Sequence, residues 1–210
     1  MLLKKFICGP FFTNTIVFFE EKTKKGAVID PAPDSLKKIL PYIEKEKIHL
    51  KKIFLTHTHW DHIADVKKVK EKFSAKIFVH IADAKNLEYP GSDRLPIFEE
   101  IEGIPADVFV ENNKIYMVGQ IKIKVIHTPG HTPGSVCYYL PEEEILFSGD
   151  TLFQGSIGNL SFPTSEPSLM WPSLKKLATL PEKTRVIPGH GVETTIKKEK
   201  WIVSAEEYFS

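Results

Sequence analysis

The sequence predicts an α/β protein in which two sheets are flanked by helices. Two patterns carry that expectation. Strand-like and helix-like apolar spacings alternate through the first half of the chain, whereas the second half runs through consecutive strands before one more helix. Length and composition agree, because 210 residues, 42% hydrophobic and 26% charged, suit one globular domain over residues 1–210 with a sizeable core.

Residues 2–8 and 14–20, rich in Ile, Val and Phe, read as strands around a turn at Gly9-Pro10. "EKTKKG" (21–26) is a turn, and "AVID" (27–30) is a short buried strand ending at Pro31. The next stretch opens with Asp34 or Ser35 as a cap and spaces Leu36, Ile39, Leu40 and Ile43 along one helix face. "IFLT" (53–56) is a second apolar strand that runs into the heptapeptide "THTHWDH" (56–62). After it, Ile63, Val66 and Val69 lie on one face of a lysine-rich helix, and "KIFVH" (76–80) is another strand. Residues 86–105, interrupted by Pro and Gly, form a long loop. "KIYMV", "IKIKVIHT", "SVCYYL" and "EILFSGD" are four strands joined by short turns, followed by a helix at about 167–179, a strand at "RVIPGH" and a helical tail with Trp201 and Tyr208 as packing residues.

A net charge of +1 gives no field that favours nucleic acid or an anionic membrane. No apolar stretch reaches the ~18 residues of a spanning helix. The apolar run near the start is broken by Gly9, Pro10 and Asn14 and lacks a small-residue cleavage site, so no signal peptide is expected. With only Cys8 and Cys137, a disulfide scaffold is not expected and a cytoplasmic location is.

The chemistry is concentrated in histidine. Of eight histidines, five lie just past predicted strand ends, where α/β architectures place their functional groups. His57 and His59 are two apart, so in an extended segment both rings project from the same side and can bind one ion. Asp61 and His62 follow after the chain turns into a helix and can face a neighbouring ion. His131 sits between two Pro-Gly turns in "HTPGHTPGS" (127–135), Asp150 ends an apolar strand in "LFSGDT", and His190 follows a Pro-Gly turn in "VIPGHG". A carboxylate can bridge two divalent ions, and imidazoles with carboxylates suit zinc, iron or manganese. His127 reads as a turn hydrogen-bonding residue, His49 and His80 as structural, Cys137 as core and Ser148 as a turn residue.

Together these motifs resemble the metallo-β-lactamase fold superfamily, whose His-x-His-x-Asp-His, His, Asp, His order is met across residues 57–190. "GPFFTN", "AVIDP", "HTPGHTPGS" and "SGDTLFQGSIG" are similar to its glyoxalase II-like branch. The resemblance implies an αββα sandwich with two divalent metal ions, zinc foremost, at one edge between the sheets. It implies that His57, His59 and His131 bind the first ion, that Asp61, His62 and His190 bind the second, and that Asp150 bridges both. Asp61 would be the catalytic residue, with a metal-bound hydroxide as nucleophile. The implied activity is hydrolysis of small-molecule S-acyl thioesters such as hydroxyacylglutathione. A persulfide dioxygenase with one iron and a lactonase are the alternatives within the fold. A cysteine usually stands at the position of Asp150 in the lactamases, so antibiotic hydrolysis is disfavoured. Trp60, Phe153, Asn159 and Phe162 are candidates for the substrate pocket. At Asn159 a Lys or Arg is common in the wider family, and 20 residues follow His190, fewer than the extra glutathione-gripping helical domain needs. The thiol carrier therefore stays open between glutathione and a smaller group.

Overall fold

The computed structural model describes residues 1–209 and side chains through Glu207; the packing expected of Tyr208 lies outside the described residues. The first sheet has six strands in sequential order: β1 (Leu2–Cys8), β2 (Thr13–Phe19), β3 (Lys25–Ile29), β4 (His49–Phe54), β5 (Lys76–His80) and β6 (Val108–Val110). The pairs β1–β2 and β2–β3 are antiparallel, and β3 through β6 run parallel. Parallel neighbours need crossovers: α1 (Ser35–Glu46) joins β3 to β4, the short α2 (Trp60–Ile63) with α3 (Val66–Phe73) joins β4 to β5, and the long segment 81–107 joins β5 to β6. The second sheet also has six strands: β7 (Ile115–Val118), β8 (Ile121–His127), β9 (Val136–Leu140), β10 (Ile145–Gly149), β11 (Arg185–Pro188) and β12 (Thr194–Thr195). Among the described residues its only parallel pair is β10–β11. The helices α4 (Ala84–Glu88), α5 (Pro167–Ala178) and α6 (Glu206–Phe209) complete the described elements beside two short 3-10 turns.

Strand periodicity sorts the core into three layers. In β2, Ile16 and Phe18 face the second sheet while Val17 and Phe19 face the helices. In β8, Ile121, Ile123 and Val125 point inward, and in β9 Val136, Tyr138 and Leu140 do so. A second cluster packs the outer face of the first sheet on Ile39 and Ile43 of α1 and Val66 and Val69 of α3. A third packs Cys137, Tyr139 and Leu146 under Met170, Leu174 and Leu177 of α5, with Trp201 against its edge. The result is the expected αββα sandwich.

Several boundaries depart from the expectation. Strand β4 begins at His49, ahead of the expected Ile53: exposed His49 and Lys51 flank buried Leu50, and a register shift against β3 places Lys52 before buried Ile53 and Phe54. The single lysine-rich helix is two, interrupted at Ala64 and Asp65. Asp65 accounts for the break: its Oδ2 accepts from Leu36 N at 2.9 Å, capping α1 from another element, whereas the Asp34 side chain makes no capping bond. Strand β6 emerges from the end of the Pro-rich stretch, and no described helix is long and apolar enough to cross a membrane.

Candidate metal centre

The ends of β4, β8, β10 and β11 meet at one edge of the sandwich, and the turn between β1 and β2 closes over them. Asn14 ties that turn to β11, its backbone N donating to Gly189 O at 2.7 Å and its Nδ2 to Pro188 O at 2.9 Å. The seven expected ligand residues converge there. Three sets each bring one donor atom per residue to within 4.8 Å of one another: His57, His59 and His131; His57, His62 and Asp150; and Asp61, His62 and His190.

The geometry within these sets is tight. His131 Nε2 lies 2.9 Å from His59 Nδ1, and His62 Nε2 lies 3.1 Å from His190 Nε2. Asp61 Oδ2 is 3.3 Å from His190 Nε2 and 3.5 Å from His62 Nε2. Asp150 touches both groups, with Oδ1 3.5 Å from His62 Nε2, and Oδ2 3.6 Å from His131 Nε2 and 3.5 Å from His190 Nε2. Glycine permits this crowding. A Cβ at Gly189 would fall 2.2 Å from Asp150 Oδ1, and one at Gly158 would fall 2.7 Å from His131 Nδ1.

Three buried atoms in the cluster, His57 Nε2, His59 Nε2 and Asp150 Oδ1, have no hydrogen-bond partner in the protein. Buried polar atoms are costly when unsatisfied, and cations held by the His57/His59/His131 and His57/His62/Asp150 sets would satisfy them. The charge distribution favours one. Burial, reinforced by neighbouring imidazoles, holds His57 and His59 well below the ordinary histidine range, leaving them as neutral donors. Burial also opposes charge on His62, but Asp61, Asp150 and Asp30 outweigh it and lift that ring to about 10. Burial would raise Asp61, yet His62, His190 and the Thr13 hydroxyl hold it well below the carboxylate range. A pocket that stabilises positive charge on a fully buried ring, lined by imidazole and carboxylate donors, fits divalent metal.

The supporting shell contains residues that the sequence analysis left without a role. Asp30, at a left-handed φ of 48° just past β3, is 3.0 Å from His62 Nδ1 and also accepts from Thr56 N and Oγ1. Thr13 Oγ1 donates to Asp61 Oδ2 at 2.8 Å. His190 Nδ1 donates to Phe11 O at 2.9 Å, and His131 Nδ1 to Asn159 O at 2.8 Å. Such bonds fix tautomer and ring direction. Asp30 carries a signal in retrospect, a lone carboxylate ending a buried strand.

Among the substrate candidates, Trp60 and Phe162 line a cavity of about 360 Å³ over the cluster, together with Phe11 and Leu95. Asn159 is exposed and points its Oδ1 at Ser161 N, so its contribution to the cluster is the backbone carbonyl. Phe153 packs its ring 6.1 Å from His190 but is not among the residues lining that cavity. His127 binds Pro133 O through Nε2 and stacks on His80, and Ser148 Oγ donates to Leu152 O, as structural residues do.

Comparison with known proteins supplies the lineage. The chain is 36% identical to a hydroxyacylglutathione hydrolase of Pelagibacter ubique, covering 89% of this chain and 70% of that one. It is 32% identical to the hydroxyacylglutathione hydrolase GloC of Haemophilus influenzae, covering 90% and 91%. Among solved structures it superimposes on BLEG-1, described as a B3 metallo-beta-lactamase, with a TM-score of 0.87 at 38% identity over 94% of this chain and 96% of that one. TTHA1623 in a di-iron-bound form gives 0.80 at 32% identity over 94% and 96%. ETHE1 from Myxococcus xanthus gives 0.81 at 27% over 97% and 83%. The sequence profile of the metallo-beta-lactamase superfamily matches residues 8–190, which span every ligand candidate. With the αββα layers and the His/Asp cluster already in place, that match means that the chain belongs to the metallo-beta-lactamase superfamily, in its glyoxalase II-like branch.

Proposed function

We propose that the chain is a binuclear metal-dependent hydrolase of S-acyl thioesters, in which His57, His59 and His131 hold one divalent ion, Asp61, His62 and His190 hold the second, and Asp150 joins them. The observation that carries this reading is the position of Asp150, whose two oxygens lie within 3.5–3.6 Å of histidines from both sets. Kinship with hydroxyacylglutathione hydrolases supports the substrate class. The ions, zinc foremost with iron or manganese as alternatives, would supply Lewis acidity at the carbonyl oxygen and a nucleophile drawn from water near neutral pH.

The chain's own residues orient the ligands and line the cavity. Asp30 presents the Nε2 of His62 to the site, and the carbonyls of Phe11 and Asn159 do the same for His190 and His131. Thr13 fixes the Asp61 carboxylate, the residue we assign to catalysis, against rotation. Phe11, Trp60 and Phe162 give the cavity an apolar wall beside the cluster. In the reaction the acyl carbon–sulfur bond is exchanged for a carbon–oxygen bond from water, giving a carboxylic acid and a thiol. A thiolate departs without general-acid help, which suits a lining whose titratable groups are all candidate metal ligands. Two buried free thiols, Cys8 and Cys137, support our assignment to a reducing compartment, the cytoplasm.

Metal analysis combined with thioester turnover tests the proposal. Two ions per chain and hydrolysis of S-lactoylglutathione or a simpler thioester are expected; metal-loaded protein that turns over no thioester removes the reading. Likeness to ETHE1 is consistent with a second reading, persulfide oxidation at a single iron. One iron per chain and oxygen uptake with glutathione persulfide would select it. Because BLEG-1 is described as a lactamase at 38% identity, a chromogenic β-lactam belongs in the same assay.

A further inference from the structure

The cavity over the metal centre is walled by apolar rings, and no lysine or arginine is among the described residues lining it. Phe11 meets Trp60 edge to face at 5.4 Å. Phe98 closes a triangle with them, 6.0 Å from Phe11 and 5.7 Å from Trp60. Across the cluster, Phe162 sets its ring 5.4 Å from His59 and 5.7 Å from His131. Two rings of this wall reach into water, with Phe11 48% and Phe98 68% exposed. Contiguous exposed apolar surface at the mouth of a polar cavity marks a site that an apolar group covers.

The charges argue in the same direction. The acidic side chains lining the cavity, Asp61 and Asp150, are both candidate metal ligands, and outside the metal centre no lysine or arginine in the lining offers a partner to a carboxylate-bearing thiol. Lys5, whose Nζ donates to Gly191 O at 3.2 Å, and Arg94, next to Leu95 in sequence, lie outside the lining. With its histidines, Asp61 and Asp150 engaged as candidate metal ligands, the rest of the lining is Phe11, Trp60, Leu95 and Phe162, none of which can pair with a charged carrier, so desolvating one there is unfavourable.

We infer, resting on the hydrolase reading above, that the preferred substrates are thioesters of medium-length apolar acyl groups on an uncharged thiol. The acyl chain lies against Phe11, Trp60 and Phe98, the larger apolar wall, and the small thiol moiety lies under Phe162. Specificity is then set by burial of methylenes and not by recognition of a peptide-like carrier.

Acetyl, butyryl and hexanoyl thioesters of N-acetylcysteamine, compared with S-lactoylglutathione on metal-loaded protein, test the inference. Partial burial of each methylene in an open groove predicts a rise in kcat/KM of about twofold per methylene. Across the four methylenes from acetyl to hexanoyl this compounds to about 16-fold, and the hexanoyl ester should exceed lactoylglutathione. Phe98→Ala removes an exposed ring with little risk to folding and should flatten the chain-length slope. Binding is read separately from turnover by Trp60 fluorescence during titration with the non-hydrolysable thioether S-hexyl-N-acetylcysteamine, with Trp60→Phe identifying the responding ring. Thioester turnover that is flat with chain length, or a preference for lactoylglutathione that Lys5→Ala or Arg94→Ala removes, overturns the apolar assignment and leaves the hydrolase reading standing. Absence of all thioester turnover overturns the hydrolase reading, and with it the thioester as substrate. The apolar wall as a binding surface then stands on a saturable Trp60 response and falls without one.

Discussion

Asp150 ends β10, and its neighbours come from both sheets: His62 follows β4, whereas His131 and His190 follow β8 and β11. A carboxylate can serve two cations at once, and a neutral amide does so poorly. Asp150→Asn should therefore lower bound metal below one ion per chain and cut turnover by at least about 100-fold; elemental analysis beside a thioester assay measures both. Near-normal turnover with full metal content would contradict the joining role. Asp30 acts one step away, receiving Thr56 N, Thr56 Oγ1 and His62 Nδ1. Asp30→Asn keeps the shape but disturbs these bonds, and a loss of about 10–100-fold in metal affinity is expected, read by competition with a chromogenic chelator. These residues also mark where sequence reading stops. Four of the seven ligand candidates were legible because they crowd into residues 57–62, and the other three because each follows a strand, His131 and His190 directly after a Pro-Gly turn. Asp30 and Thr13 were not, because one polar residue at a strand end has no spacing to test. Phe11 and Asn159 serve the site through carbonyl oxygens, which every residue type carries.

At the scale of elements, the loop bearing His131 is held by a carboxylate from elsewhere in the chain. Asp83, at the start of α4, accepts from Thr132 Oγ1 and from Gly134 N, both at 2.7 Å. Burial pushes this carboxyl up to about 6 despite those donors, with Asp93 adding to the rise. The sign follows directly. A folded-state pKa above the unfolded value means that the native state binds the proton more tightly, so this group's burial opposes folding above about pH 6 and the opposition fades as pH falls toward 4. Between pH 7 and 5 it should add about 1 kcal/mol of stability to wild-type protein. Asp83→Asn should lose that increment in urea melts of chelator-treated protein, and its misplaced loop should also reduce turnover. An identical pH response in both proteins would refute the assignment. The sequence located the Pro-Gly turns of this loop but not its anchor, because the partners are 49 and 51 residues apart. For the same reason the α2–α3 break was hidden: Asp65 leaves the helix to cap α1, a long-range bond of which local periodicity holds no trace. Strand β6 was missed because "VFV" is three residues long and follows an irregular stretch.

Across the whole molecule, the ligand candidates divide between the two sheets. His57, His59, Asp61 and His62 follow β4 of the first, whereas His131, Asp150 and His190 follow strands of the second. The apolar interface joins the sheets through residues such as Phe54, Phe78, Tyr138 and Phe147 over their breadth. At the site edge the direct links are a few hydrogen bonds, among them Asn14 N to Gly189 O and Tyr138 Oη to Leu55 O at 2.8 Å. Ions shared across that edge would cross-link the sheets in the native state only, since the unfolded chain does not preserve the geometry. Linkage then requires that metal stabilise folding by about 2.7 kcal/mol when free ion stands at 100 times its dissociation constant. For a chain of this size that is a rise in Tm of roughly 5–10 °C. Chelation should remove the increment and re-addition should restore it. Asp150→Asn, which keeps the core and weakens the shared ligand, should show a smaller increment under the same conditions. Scanning calorimetry at matched free-metal concentration distinguishes this from ions bound to one sheet at the surface, for which the Tm of the wild type and of Asp150→Asn would shift equally.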